Sequence, residues 1–306
     1  MHLRRVFLGR SGLRAGWRFA LYIALLFAFS KAFYWALATA TGYQSAPGWQ
    51  AGDSVLDGFV ASAVAVLAAL IMGKLEHRSL ADYGLTRRGA FGLPFWEGVL
   101  WGLATSVAMI VSLAALGAVS IHGLALHGAP LLRSGLIWWV VFLFVGFSEE
   151  LQFRGYLQRA LTDGMGFWPG AVLISTVFGA IHFYFKPQES WLDAVNVALF
   201  GLFWCFTLRR TGALWFAMGH HAMSDYADMV IFGQPNTGND GQPLSGHLLD
   251  ATYHGPAWLT GGVCGTEASV LEIPILLALF ALFHLRHRGT TRRGLPVAAP
   301  AEAAAT

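Results

Sequence analysis

The chain has 306 residues, of which 56% are apolar and 12% charged, with a formal net charge of +3 at pH 7. An ordinary soluble domain carries about twice that charged share, so the composition excludes a water-soluble globular protein and fits helices immersed in lipid. The two cysteines, Cys205 in an apolar run and Cys264 in a polar loop, form no CxxC pair, which excludes a cysteine-ligated zinc site and argues against a disulfide.

A helix needs about 20 mostly apolar residues to cross a bilayer. By that test the chain holds about eight spans, near 17–41, 55–75, 93–119, 134–162, 168–186, 190–210, 212–232 and 268–287. The expected fold is an all-α integral membrane protein, a bundle of these helices around a buried polar site. The first apolar stretch is long enough to span and lacks a small-residue cleavage site, so no cleavable signal peptide is expected. Polar residues interrupt the fifth and seventh spans. Residues 1–16 read as a basic arm and 17–288 as the transmembrane domain. Residues 289–306 read as an Ala/Pro-rich disordered tail. The loop 233–267, rich in Gly, Pro, Asn and Asp, is expected to be irregular. No internal repeat is visible.

Basic residues orient this layout. One face receives Arg4, Arg5, Arg10, Arg14 and Arg18, then Lys74, Arg78, Arg87 and Arg88. It also receives Arg159, Arg209, Arg210, Arg286, Arg288, Arg292 and Arg293, whereas the opposite face receives Arg133 and Lys186. The positive-inside rule then places both termini in the cytoplasm, and the expected location is a bacterial inner (plasma) membrane. The same recurrence in every second loop argues against a nucleic-acid-binding arm.

Ionisable groups within spans are costly and face a partner or a water-filled cavity. The fourth span carries GFSEELQFRG with Glu149, Glu150 and Arg154; the fifth carries VFGAIHF with Phe178 and His182; the seventh carries GHHAMSDYAD with His220, His221, Asp225 and Asp228. Glu150 and Arg154 are four apart, so they share a helix face and pair. Glu149 lies about 100° around the helix and is left free. His221 and Asp225 share the same spacing, which lets the carboxylate orient the imidazole. Gly164-Met165-Gly166 is a natural turn between the fourth and fifth spans. Glu149 and His182 are equidistant from it, each about 25 Å up the hairpin. His221 lies about 14 Å beyond Gly212, a mismatch in depth that tilt or a deeper turn must close.

Glu149-Glu150-Leu-Gln-Phe-Arg154, then Phe178-Gly-Ala-Ile-His182, then His221-Ala-Met-Ser-Asp225 resemble the three ordered motifs of the CPBP family of intramembrane proteases. That family includes the CAAX prenyl endopeptidases of Rce1 type and Abi-like members. The resemblance covers about residues 90–232. It implies a water held between Glu149 and His182, with Glu149 as general base, and a zinc ion on Glu149, His182 and His221 as the metal-dependent alternative. It further implies that His221 binds metal or stabilises the oxyanion, with Asp225 orienting its ring, and that Glu150, Arg154 and Phe178 support the site. Asp225 stands where many members have Asn, and an ionised Asp cannot donate to an oxyanion. The implied partners are the bilayer and a membrane-bound protein or peptide substrate, of which lipidated CAAX proteins are one class.

Blander readings attach to the other residues. His220 faces away from His221 and reads as structural. Asp228, His247 and His254 read as solvated, and Glu97 and Glu272 as carboxylates at span ends. Gly146-Phe147-Ser148 with a distant His superficially resembles a rhomboid serine protease, without the other features of one, and HExxH is absent. Two further classes of function stand beside the endopeptidase: a non-catalytic family member acting as a bacteriocin-immunity or scaffold protein, and a transporter or channel. Inverted repeats and paired broken spans would favour transport, and neither is seen.

Overall fold

The computed structural model describes residues 7–9, 12–46 and 48–289. Half of the basic arm and nearly all of the tail expected from the sequence lie outside them. Eight principal helices run along the described chain: α1 Ala15–Thr41, α2 Ala51–Glu76, α3 Leu93–Ala115, α4 Gly128–Met165, α5 Phe167–Phe185, α6 Trp191–Thr211, α7 Trp215–Tyr226 and α8 Glu272–Arg286. The first six are long and apolar enough to cross a membrane. The protein is an all-α membrane protein. Its α7 is short and polar because it carries the His and Asp residues of the site, although wide π-helical turns extend it over Ala227–Ile231.

Local chemistry sets the ends. Ser190 caps α6 by accepting the Asp193 N–H at 3.0 Å. The turn between α4 and α5 falls at Gly166, φ 88°, within the Gly-Met-Gly triplet. The third helix stops at Ala115, earlier than its apolar run suggested. Val119–Leu124 instead forms a strand, β1, antiparallel to β2, Leu249–Tyr253, with Val119 opposite Tyr253. Gly117, at φ 68°, turns the chain out of the helix. The loop after α7 is therefore less irregular than expected. It also pairs Pro235–Asn236 with Gln242–Pro243 and contains a helical turn at Ala257–Thr260.

Two contacts position the site. Helices α3 and α7 cross at Gly98, Gly102 and Gly219, where added side chains would strike the Phe216, His220 and Phe95 carbonyl oxygens respectively. Lipid tails give helices no hydrophobic reason to associate, so such close backbone approach supplies packing instead. Where α1 begins and α2 and α4 end, an ion cluster ties these three helices. Arg18 reaches Glu76 at 2.5 Å and Asp163 at 2.8 Å. Arg78 reaches Asp163 at 2.6 Å, and Arg159 reaches it at 3.2 Å. Tyr83 and Tyr156 both donate to Glu76. Beside the cluster, Tyr22 of α1 stacks on Tyr156 of α4 with centroids 4.1 Å apart.

Candidate active site

At Glu150 the fourth helix widens into π-helical turns through Leu157 before resuming as an α-helix at Gln158. Such wide turns accumulate at functional sites. Glu150 and Arg154 are both fully buried and pair at 3.0 Å, the partnership their spacing indicates. The Arg154 guanidinium also lies 4.2 Å from the centroid of the Phe178 ring and 4.8 Å from that of Trp204. Aromatic faces thereby attract the cation on sides where no carboxylate stands.

Glu150 has a second partner. His221 Nδ1 donates to Glu150 Oε1 at 2.9 Å, so Glu150 holds one side of this ring. Asp225 Oδ2 lies instead 3.5 Å from His221 Nε2, and Glu149 Oε2 lies 3.8 Å from the same nitrogen. Both nitrogens of His221 thus face carboxylate oxygens. Glu149 is less isolated than its place around α4 suggested. Trp204 stacks on the His221 ring with centroids 4.1 Å apart and planes inclined by 13°. This residue carried no sequence signal, being one aromatic among many.

The depth mismatch of His221 is closed by a deep turn between α6 and α7. Leu214 donates its N–H to the Gly84 carbonyl and packs against Gly155 of α4. From that shared level His221 rises about 10 Å and Glu149 about 9 Å.

His182 sits in the last turn of α5. Its Nδ1 bonds the Phe178 carbonyl at 2.9 Å. A carbonyl only accepts, so Nδ1 carries a proton and the neutral ring keeps its lone pair on Nε2. Glu149, His182, His221, Asp225 and Phe178 all line one cavity of about 130 Å³. By volume it accommodates several waters. Trp49, Lys186, Asn236 and Glu267, from connecting loops, line it as well. Burial acts to lower the Lys186 pKa, but the negative charges of Glu267, Glu189 and Asp193 outweigh it and hold the ammonium above its usual range. Burial, reinforced by the Asp225 charge, pushes the Glu267 carboxyl up to about 7.

The residues of the zinc set implied by the resemblance, Glu149, His182 and His221, line this cavity. Among the described residues no group of three His, Cys, Asp or Glu side chains is placed to hold a metal ion. Other expectations need correction or refinement. Asp228 is partly buried and accepts from Gln234 at 3.0 Å, and Glu272 is 4% exposed. Neither is simply solvated or at an interface, because the loop after α7 folds back over them. His247 bonds the Leu244 carbonyl, while His254 is exposed. Glu97 faces Arg286 at 3.5 Å. His220 is structural in its contacts: Trp204 donates to its Nδ1 at 3.2 Å, and Thr105 Oγ1 lies 3.4 Å from its Nε2. Ser148 is buried and donates to the Val145 carbonyl. Both cysteines are free.

A bundle of apolar helices that closes over two imidazoles and several carboxylates defines an integral, multi-pass membrane protein with a water-sized polar site. Residues 130–227, from the start of α4 through α7, match the family model of the type II CAAX prenyl endopeptidase Rce1-like proteins. Over that segment the chain is similar to the Rce1-like proteins, in line with the resemblance of its three motifs to the CPBP proteases. No curated protein and no solved structure matches it.

Proposed function

We propose that the protein is an intramembrane endopeptidase that hydrolyses a peptide bond of a membrane-associated substrate with a water activated by Glu149. The observation that carries this reading is the convergence of Glu149, His182, His221 and Asp225 on one small cavity inside the Rce1-like segment.

In this mechanism the water donates one hydrogen to Glu149 and the other to the free Nε2 of His182. Glu149 takes a proton as the water oxygen bonds to the scissile carbonyl carbon, and the carbonyl π pair becomes an oxyanion. His221, with carboxylates facing both ring nitrogens, acts as the imidazolium, whose Nδ1–H is held by Glu150 and whose Nε2–H stabilises that oxyanion. Collapse of the tetrahedral intermediate breaks the C–N bond. The proton held by Glu149 passes to the leaving amine. Asp225, an acceptor only, acts on the His221 ring rather than on the oxyanion.

The test is cleavage of a membrane-tethered reporter by purified protein. Glu149→Gln removes only the proton-accepting charge and should abolish cleavage while insertion and yield stay near those of the wild type. Full activity in that variant would sink the mechanism. A wild type that binds the reporter and never cuts it would favour a scaffold or immunity role. Metal dependence is read separately, by chelation followed by zinc. With Glu149 and His182 alone activating the water, turnover should be unchanged after chelation. Loss that zinc restores would assign an ion to Glu149, His182 and His221.

A further inference from the structure

The cavity has a direction. Three of its lining residues, His221, Phe178 and Trp204, rest against the buried Glu150–Arg154 pair. Its other walls include Trp49 from the loop after α1, Lys186 from the loop after α5, and Asn236 and Glu267 from the loop after α7. Pairing of β1 with β2 puts the loop after α3 beside the loop after α7. Connections that follow α1, α3, α5 and α7 therefore share one end of the bundle. No residue from the connections that follow α2, α4 and α6 lines the cavity. His182 is only three residues below the end of α5 on this same side, about 5 Å of helix.

Charge says which side this is. The end that holds the cavity has Lys186 and, near the start of α4, Arg133, and residues 233–267 contain no Lys or Arg. The other end collects Arg14, Arg18, Lys74, Arg78, Arg87, Arg88, Arg209, Arg210, Arg286 and Arg288. Basic residues mark the cytoplasmic side.

From these two observations we infer that the site opens away from the cytoplasm and takes as substrate the extracytoplasmic juxtamembrane segment of a membrane-anchored polypeptide. The chemistry of the mouth agrees. A peptide entering from that side meets an ammonium at Lys186, an amide at Asn236 and a carboxyl at Glu267, groups suited to backbone and polar side chains. The substrate class rests on the endopeptidase reading; the direction of the opening does not.

Two measurements separate them. In the full chain with Cys205→Ser and Cys264→Ser, a single Lys186→Cys is exposed to a small, charged, membrane-impermeant methanethiosulfonate. Right-side-out spheroplasts and inside-out vesicles are compared. Asp250→Cys, in β2, and Arg87→Cys, in the loop after α2, report the two faces. We expect Cys at 186 and at 250 to react in spheroplasts and Cys at 87 to react only in inverted vesicles. Reaction of Cys at 186 only in inverted vesicles, or from neither side, would overturn the inferred opening. In the second measurement, one cleavable peptide is fused on either the outer or the inner side of a single-helix anchor. Cutting of the outer fusion alone is expected, and cutting of the inner one alone would overturn the substrate class. If neither is cut while the labelling pattern holds, the endopeptidase reading and the substrate class fail and the direction of the opening stands.

Discussion

Glu150 serves two partners at once, the Arg154 guanidinium on its own helix and the His221 imidazole on α7. Removing its carboxylate by Glu150→Ala strands a fully buried cation, a loss of about 3–5 kcal/mol. Recovery of folded protein in detergent should fall along with activity. Glu150→Gln keeps an oxygen to accept from His221 Nδ1 but not the counter-charge, so it should fold better than the alanine variant. If Glu150→Ala yields normal, stable protein and only turnover falls, the carboxylate takes part in the reaction instead of holding the site. Asp225 offers a contrast. An amide oxygen can still accept from the neighbouring ring, so Asp225→Asn should retain substantial cleavage and Asp225→Ala should not. Equal loss in both, at unchanged expression, would show that the charge itself is required.

At the scale of helices, the crossing of α3 and α7 is the contact that holds His220 and His221 in place. Backbone lies so close there that one methyl group has nowhere to go. Gly98→Ala or Gly219→Ala should cost about 1–3 kcal/mol or more through overpacking. The readout is the unfolding temperature of the purified protein, and reporter cleavage should drop with it because α7 is displaced. An unchanged melting point in both variants would mean the crossing is looser than described. Much at this scale was readable in the amino-acid order. Long apolar runs give α1 to α6 their places, and the four-residue spacing of Glu150 and Arg154 gives their pairing. What spacing within one helix cannot show is a partner on another. Glu150 and His221 are 71 residues apart, and only packing reveals that Glu150 reaches Nδ1 before Asp225 does. Strand β1 was hidden for a related reason, because Val119 and Ile121 extend an apolar run equally well as strand or as helix. Lys186 and Glu267 were legible as loop charges, but their place at the cavity depends on how the long loop after α7 folds back.

For the molecule as a whole, that loop makes stability depend on acidity. The Glu267 carboxyl is raised to about 7 from its ordinary 4.5, so the folded state favours its neutral form. Its contribution is fully present below the unfolded value and is lost as the pH climbs through about 7. Unfolding temperatures measured across about pH 5 to 8 should fall with rising pH, and Glu267→Gln, permanently neutral, should flatten that slope. Asp225→Asn removes one cause of the shift and should move the fall to lower pH. An identical slope in the Glu267→Gln protein would assign it to another group.

The ion cluster joining Arg18, Glu76 and Asp163 has a consequence for how the chain is made. Arg18 and Asp163 are 145 residues apart. At the usual pace of synthesis, on the order of ten seconds separates their emergence from the ribosome. During that interval α1, which is scarcely buried by its neighbours, has Glu76 but not Asp163 to pair with its Arg18. Helix docking must therefore lag behind membrane insertion, and α4 is the piece that completes the attachment. A chain arrested after α3 should insert its three helices yet leave α1 open to proteases, and extension past Asp163 should bring protection. The attachment of α1 should then be completed only after that late carboxylate has been made.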